Sequence, residues 1–271
     1  MSQPMFIVKL IKKWFNQVYV MAGMTKKPVV GGVVNRALFE GDHMIYLPRD
    51  KVLHLNRPLE DPGSVVLPSQ IVDYFIEKAN YLWIMNDCIC RDATHCKEYP
   101  INVGCLFLGE AAMGINPKLG RPVTKEEARE HQRRACDLGL IQLVGRIKLD
   151  KLWLNVSPGS KLLSICNCCP CCCLWGKISL ISPQIGDHIT KMPGVTVKIS
   201  DQCDGCGTCA EDVCFMKAIS LSDGRAVISD ECRGCGRCVS ICPSEAIEFH
   251  IEDTGFVQKA IERLAPLVDV T

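Results

Sequence analysis

The chain has 271 residues, and its hydrophobic fraction of 48% is large enough for a buried core, which excludes disorder for most of its length. Its 19 cysteines suit either a disulfide scaffold, which is normally a short secreted chain, or thiolate ligands in a reducing compartment. The net charge of +1 and the aromatic fraction of 6% argue against nucleic-acid binding, because no basic patch is interleaved with aromatic residues.

The first 36 residues form a basic segment with six basic side chains and no acidic one. Between residues 5 and 21, apolar side chains recur at helical spacing, at Ile7, Ile11, Trp14, Val18 and Met21. Lysines at positions 9, 12 and 13 interrupt this stretch, so it resembles neither a signal peptide nor a membrane span. We therefore expect a cytoplasmic protein. Its amphipathic N-terminal helix either packs on its own domain or docks on an anionic membrane surface or an acidic partner.

A cysteine-rich region follows, and we assign it to residues 37–190. Ile71, Phe75 and Ala79 predict a core helix after Pro68, and the apolar run 81–85 predicts a strand. This strand leads into four cysteines with gaps of one, five and eight residues, namely Cys88, Cys90, Cys96 and Cys105. We expect these four thiolates to bind one iron–sulfur cluster, with Arg91 offsetting its charge. The alternative is that some of them are small buried hydrophobic residues.

The next elements are predicted to be structural. Thr124 and Glu127 form a capping-box pattern at the start of a helix that Gly139 ends. Cys136 falls on this helix, and we expect it to pack rather than to bind metal. The segments 140–146 ("LIQLVGR") and 151–157 ("KLWLNVS") predict paired strands.

Residues 165–173 read "ICNCCPCCC", which places six cysteines in eight positions: Cys166, Cys168, Cys169, Cys171, Cys172 and Cys173. In one interpretation, some of these sulfurs complete or add to the cluster near residues 88–105, and Pro170 stiffens the turn between two triplets. In another, adjacent thiols form a redox-active dithiol beside a cluster, for which ferredoxin:thioredoxin reductase is a precedent. In the third interpretation the cysteines are inert packing residues, although six thiols in eight positions cannot all enter one core. Successive side chains cannot all face one centre, so we expect only a subset to be ligands.

Residues 196–250 are acidic and contain an internal repeat. Cys203, Cys206 and Cys209 recur 29 positions later as Cys232, Cys235 and Cys238, and the fourth cysteines are Cys214 and Cys242. Each copy predicts a strand, a cysteine loop, one helical turn and a second strand. Glycines at positions 205, 207, 234 and 236 permit the tight bends that aim three sulfurs at one centre. A pair of zinc sites is the alternative.

This spacing resembles the bacterial-type ferredoxin, in which the fourth cysteine of each run ligates the cluster of the other run. The resemblance implies two [4Fe-4S] clusters. One would be bound by Cys203, Cys206, Cys209 and Cys242, and the other by Cys232, Cys235, Cys238 and Cys214. The second run matches fully, including Pro243 after Cys242. The first run departs from the pattern, because four residues separate Cys209 from Cys214 and Phe215 replaces the proline.

A wider resemblance covers roughly residues 40–250. The ordered segments "CICRDATHC", "GCLFLGEAA", "GRPVTKEEA", "GLIQL" and "ICNCCPCCC", followed by the ferredoxin repeat, are similar to a family of 4Fe-4S binding proteins from anaerobic bacteria and methanogenic archaea. The resemblance implies iron–sulfur clusters and anaerobic redox metabolism without naming a reaction.

We therefore predict an α+β protein with a cysteine-rich iron–sulfur domain, a two-cluster ferredoxin domain of duplicated β-loop-α-β units (196–250) and a C-terminal helix (251–271). At least one further cluster is expected in the N-terminal domain. The predicted function is electron transfer, as a subunit or dedicated partner of a larger anaerobic oxidoreductase. The absence of a phosphate-binding loop or a catalytic triad favours a carrier over an independent enzyme. The alternatives are a cluster-linked disulfide or thiol reductase that uses thiols of residues 166–173, and cluster storage or delivery.

Overall fold

The structure is a computed structural model that describes residues 2–48, 50, 67–214, 216–251 and 255–271. Phe215, at which the sequence departs from the ferredoxin pattern, lies outside the described residues. The predicted α+β class is confirmed, because a seven-stranded mixed sheet and two separate two-stranded sheets are combined with helices. The domain boundaries proposed above stay predictions.

The large sheet has the strand order β4-β2-β3-β6-β5-β1-β7. Its neighbouring strands are antiparallel except for the parallel pair β1 and β7. The strands are β1 His43–Leu47, β2 Leu82–Met85, β3 Leu106–Leu108, β4 Gly120–Pro122, β5 Ile141–Arg146, β6 Leu163–Cys168 and β7 Ile189–Lys191. Two further two-stranded antiparallel sheets pair β8 Val195–Ile199 with β11 Ile247–Ile251, and β9 Ile219–Ser222 with β10 Arg225–Ile228.

Helices cover the sheet and its ends. The α-helices are α1 Met5–Lys13, α2 Phe15–Met24, α3 Pro28–Leu38, α4 Ser69–Lys78, α5 Ile89–Ala93, α6 Lys125–Asp137, α7 Lys148–Leu154, α8 Pro183–Gly186 and α9 Phe256–Leu264. Short 3-10 segments lie at Glu110–Gly114, Gly159–Lys161, Leu174–Leu180, Val239–Ile241 and Ala265–Leu267. No helix in the described part of the chain is long and apolar enough to cross a bilayer.

Strand β6 connects the two cores of the sheet. It is buried along its whole length because it pairs with both β3 and β5. Alternate side chains of a strand point to opposite faces. Leu163 and Ile165 accordingly join the core that contains helix α4, whereas Cys166 and Cys168 join the core on the other face. Because they are two residues apart on the strand, Cys166 and Cys168 lie on the same face of the sheet.

Several local predictions can be compared with the structure. Helix α4 and strand β2 lie where the apolar spacing predicts them, and Thr124 and Glu127 form the predicted capping box at the start of α6. The predicted strand 151–157 is wrong, because residues 148–154 form helix α7. Asp42 Oδ1 accepts a hydrogen bond from the Lys148 backbone N–H at 2.7 Å, and Asn155 ends the helix in the left-handed conformation.

The predicted N-terminal amphipathic helix is divided at Trp14 into α1 and α2. Lys12 forms an ion pair with Asp92, and the Tyr19 hydroxyl donates a hydrogen bond to the Cys172 carbonyl at 3.2 Å. Val8 and Phe15 are buried beneath the two helices, whereas Trp14 remains 56% exposed. The helices therefore pack on the cysteine-rich region through one side and leave apolar side chains on the other.

The acidic segment 196–250 is fixed to the rest of the molecule. The buried Arg237 guanidinium donates to the Tyr99 hydroxyl at 3.2 Å and to the Gly139 carbonyl at 3.1 Å. Helix α9, which follows this segment, contacts α4 and β1. The cysteines of both regions consequently share one packed interior.

Candidate metal centres

The structure brings the eight cysteines of the duplicated segment (residues 196–250) into two sets of four. The electrostatic neighbours of the Cys209 thiol are Cys242, Cys203 and Cys206. Those of Cys238 include Cys235, Cys232 and Cys214. Each set thus takes its fourth cysteine from the other copy of the repeat, which is the arrangement that the ferredoxin resemblance implies.

The loops of the duplicated segment have the backbone geometry that such sets require. Gly205 has φ of +71°, and a Cβ there would lie 2.1 Å from the Gly224 carbonyl oxygen, so only glycine fits. Backbone N–H groups also point at the sulfurs. Cys203 Sγ accepts from Ala226 at 3.4 Å and Cys214 Sγ accepts from Ala218 at 3.3 Å. These donors would stabilise thiolate ligands.

Two arginines, Arg237 buried and Arg233 half-buried, test whether an anionic group fits beside Cys232, Cys235, Cys238 and Cys214, which we name the Cys232 set. The Nε atoms of Arg233 and Arg237 are buried and have no hydrogen-bond partner among the described residues. Burial raises the pKa of Cys235 to about 12 despite the nearby Arg237, so four bare thiolates would not be stable here. A cationic metal core bound by the four sulfurs would remove this cost, and the donor set therefore fits an iron–sulfur cluster.

The ten upstream cysteines of residues 88–105 and 166–173 divide into three groups. We name them the surface tetrad (Cys96, Cys169, Cys171 and Cys172), the buried row (Cys88, Cys90, Cys168 and Cys173) and the thiol pair (Cys105 and Cys166). The four cysteines predicted to bind one cluster, Cys88, Cys90, Cys96 and Cys105, are distributed over these adjoining groups. Each group combines cysteines from both sequence regions.

The surface tetrad is the most compact of these groups. Its four sulfurs all lie within 4.8 Å of one another, and Cys96 Sγ is 3.6 Å from Cys171 Sγ. Cys96 follows the short helix α5, and the other three cysteines belong to the turn after β6. Cys169 is buried and Cys171 is exposed, so the tetrad extends from the interior to the solvent.

The buried row runs from the start of α5 to the turn after β6. Cys88 caps α5, Cys90 lies one residue inside it, and Cys168 ends β6. Thiol–thiol interaction with Cys90, followed by burial, raises the pKa of Cys88. The Cys173 thiol likewise raises the pKa of Cys90, and the Cys168 thiol raises that of Cys173. Because these thiols oppose one another's ionisation, a bound cation would be needed to hold them as thiolates.

Arg91 lies among the upstream sulfurs and is fully buried. Its guanidinium donates to the Asn167 carbonyl at 2.9 Å and to the Val103 carbonyl, while its Nε has no partner among the described residues. Although burial opposes its charge, the sulfurs of Cys88, Cys169 and Cys105 raise the pKa of Arg91. No carboxylate of the described residues forms an ion pair with it. A buried cation requires an anionic partner, and a metal–thiolate assembly would supply one.

Two tyrosines that the sequence analysis did not identify lie beside these sulfurs. Burial raises the pKa of Tyr46 on β1, and the neighbouring Cys168, Cys173 and Cys235 raise it further. Burial also raises the pKa of Tyr19 on α2, next to Cys90. Tyr46 thus lies near cysteines of both the buried row and the duplicated segment. No local sequence signal marks it, because its position follows from the pairing of β1 with β5 and β7.

The remaining candidates have no place in these groups. His95 is exposed in a turn. Cys136 lies on α6, half-buried and outside the three upstream groups.

Comparison with known proteins gives one match. The family described as the LdpA Fe-S cluster-binding domain matches residues 210–252, a stretch that contains Cys214, Cys232, Cys235, Cys238 and Cys242. No curated protein and no solved structure matches the chain. The match supports an iron–sulfur cluster-binding protein, and the compact surface tetrad adds a second candidate metal site.

Proposed function

We propose that the protein transfers electrons through two ferredoxin-type [4Fe-4S] clusters in residues 196–250 and a further iron–sulfur centre in the cysteine-rich region. The ligands would be Cys203, Cys206, Cys209 and Cys242 for one ferredoxin-type cluster, and Cys232, Cys235, Cys238 and Cys214 for the other. The buried row is the preferred location of the further centre, with the thiol pair beside it. Such clusters supply reversible one-electron chemistry at potentials that their surroundings set.

The position of Tyr46 carries this proposal. Its side chain is fully buried, and Cys235 of the duplicated segment as well as Cys168 and Cys173 of the buried row lie close enough to raise its pKa. The Cys214, Cys232 and Cys235 side chains also pack against the same hydrophobic core that holds Cys166, Cys168 and Cys173. The chain therefore excludes water from the path between the two regions. A water-free, closely packed contact is what electron transfer between two centres requires.

The surfaces at the two ends differ in charge and polarity. Cys206 is exposed and belongs to the acidic segment, where a basic redox protein could approach. At the opposite end of the chain, α1 and α2 expose Phe6, Leu10 and Trp14 beside several lysines. We propose that residues 5–21 dock on an acidic subunit of a larger anaerobic oxidoreductase or on an anionic membrane surface, and that the protein works in the cytoplasm.

The proposed route can be tested by breaking it at the Cys232 set. Anaerobically prepared protein carrying Cys235→Ser and Cys238→Ser would be mixed with less than one equivalent of a one-electron reductant. Electron paramagnetic resonance of freeze-quenched samples would then follow which centre becomes reduced. We expect the N-terminal signal to persist but to be reduced more slowly than in wild type. Cys136→Ser serves as the control, since Cys136 belongs to none of the sulfur groups. Unchanged reduction of the N-terminal centre in the double variant would refute the route.

One observation favours a second candidate function, thiol–disulfide exchange. Cys96 Sγ and Cys171 Sγ are 3.6 Å apart, and Cys171 is exposed to solvent. Burial opposes ionisation of Cys96, but the backbone N–H of Tyr99 and neighbouring thiols lower the pKa of Cys96 overall, which suits an attacking thiol. Alkylation after mild reduction distinguishes the two functions. If two thiols of the surface tetrad become reactive while the iron content stays constant, exchange is supported. If reactivity appears only when metal is lost, they are ligands.

A further inference from the structure

We propose that the surface tetrad binds a single metal ion, zinc or iron, and not an iron–sulfur cluster. This site is additional to the proposed electron-transfer route. Its ligands would be Cys96, Cys169, Cys171 and Cys172.

The spacing of the sulfurs carries the inference. Four thiolates around one tetrahedral ion, with metal–sulfur bonds of about 2.3 Å, form a tetrahedron with edges of about 3.8 Å. The Cys96–Cys171 distance of 3.6 Å agrees with such an edge, and all four sulfurs lie within 4.8 Å of one another. In a cubane cluster each cysteine binds a different iron at a different corner, so its four cysteine sulfurs must stand farther apart.

The duplicated segment provides an internal comparison. Among the residues that the structure describes, no other group of three or more Cys, His, Asp or Glu side chains is as compact as the surface tetrad. The two sets that match ferredoxin spacing are thus held wider, although each also consists of four mutually neighbouring cysteines. The same chain therefore presents two kinds of four-cysteine arrangement, one more widely spaced and one with the separation of a mononuclear site.

The surroundings also suit one ion. Four thiolates and a divalent cation leave two negative charges, and the Arg91 guanidinium interacts with the Cys169 sulfur. The Thr94 hydroxyl interacts with the Cys172 thiol, and backbone N–H groups of Tyr99 and Glu98 point at the Cys96 sulfur. Such outer contacts fix the orientation of metal-binding thiolates. The exposed Cys171 leaves an entry path from solvent.

The position of the tetrad indicates what the ion would do. It would join the loop after α5, which contains Cys96, to the turn after β6, which contains Cys171. These two ligands are 75 residues apart in the chain. The same turn accepts the hydrogen bond from Tyr19 of α2 at the Cys172 carbonyl. An ion at the tetrad would therefore stabilise the surface on which the N-terminal helices pack.

The test compares metal with acid-labile sulfide in the anaerobically prepared full-length protein. Cubane clusters contain about equal numbers of iron and sulfide, so any metal in excess of sulfide counts mononuclear sites. We expect an excess of about one zinc or iron per chain. In Cys171→Ser this excess should disappear while sulfide stays unchanged. The matched control is Cys206→Ser, which alters an equally exposed cysteine of a ferredoxin-type set. There, up to about four irons and four sulfides should be lost together.

Two results would overturn the proposal. One is an equal number of metal ions and sulfides per chain in the wild-type protein. This measurement does not depend on whether a variant folds. The other is loss of iron and sulfide in equal amounts from Cys171→Ser. If the excess metal is zinc, X-ray absorption at the zinc edge should show four sulfur neighbours at about 2.3 Å. A nearby iron or a nitrogen or oxygen ligand in that spectrum would also contradict the assignment. The ferredoxin-type clusters are unaffected by either result, so the proposed function is tested separately.

Discussion

The buried Arg91 offers the sharpest test of metal binding in the cysteine-rich region. Replacing it with methionine keeps a long side chain but removes the charge and the two hydrogen bonds to the carbonyls of Asn167 and Val103. Hydrogen bonds from a charged donor contribute about 1.5–3 kcal/mol each, so their loss amounts to about 3–6 kcal/mol. Breaking a buried charge pair by removing one partner costs about 3–5 kcal/mol, which is consistent with the loss of the two hydrogen bonds. We therefore expect Arg91→Met to lower the free energy of unfolding of the metal-loaded protein by about 3–5 kcal/mol.

The metal-free protein supplies the comparison that isolates the charge. Without bound metal, the raised pKa of Cys88 opposes its ionisation, and no carboxylate of the described residues forms an ion pair with the Arg91 cation. The same substitution should then be much less damaging, because it also removes an uncompensated buried charge. Anaerobic urea unfolding followed by circular dichroism measures both differences. The rate of metal release to a chelator gives a second readout, which should rise by roughly 10²- to 10³-fold in Arg91→Met.

Arg91→Lys is the matched variant. An ammonium keeps the charge but cannot reach both carbonyls with the planar fork of a guanidinium. Its effect on unfolding should therefore lie between wild type and Arg91→Met. The reasoning is refuted if Arg91→Met costs less than about 1 kcal/mol in the loaded protein, or costs the same amount with and without metal.

Three further predictions concern stability. Burial raises the pKa of the Asp42 carboxyl to about 7, above its unfolded value, so wild-type stability should fall by about 1 kcal/mol as the pH rises from 6 to 8. Asp42→Asn should flatten this pH dependence in urea titrations, and an unchanged slope would contradict the assignment. Gly205→Ala places a Cβ 2.1 Å from a backbone oxygen and should cause loss of cluster iron, whereas Gly224→Ala, at φ of +74° with open space around it, should cost only about 1–2 kcal/mol and retain the iron. Thr124→Ala removes the capping box and should destabilise the protein by about 1 kcal/mol in the same urea titrations, while Thr124→Ser should lie near wild type.

The duplicated segment could be anticipated from the sequence because its ligand geometry is local. Cys203, Cys206 and Cys209 lie in one loop, and the bends between them need glycine at defined positions such as Gly205. Only the exchange of the fourth cysteine requires tertiary structure, and the repeat symmetry implies it. In the structure Cys242 is a neighbour of Cys209 and Cys214 is a neighbour of Cys238, and the two ligand sets stay predictions.

The upstream sulfur groups could not be deduced in the same way, since each joins residues that are distant in the chain. Proximity along the sequence suggested that Cys96 and Cys105 share a centre with Cys88, but a helical turn and a loop separate them in space. Helix α7 was missed for a related reason. The apolar residues 152, 154 and 156 alternate like a strand, whereas the hydrogen bond that fixes the first turn comes from Asp42, far away in the chain.

The division of the upstream cysteines among three sulfur groups accounts for the density of cysteines in residues 166–173. Along β6, Cys166 and Cys168 point to the same face and both have Cys105 nearby, but the foremost thiol partner of Cys166 is Cys105 and that of Cys168 is Cys173. After the strand ends, the turn directs Cys169, Cys171 and Cys172 toward Cys96 and returns Cys173 to the interior. One short segment thus contributes to three sulfur groups, each completed by a cysteine from residues 88–105. Deleting Pro170, which would shift the register of the three following cysteines, should therefore disturb the surface tetrad and the buried row together and leave the duplicated segment loaded with iron.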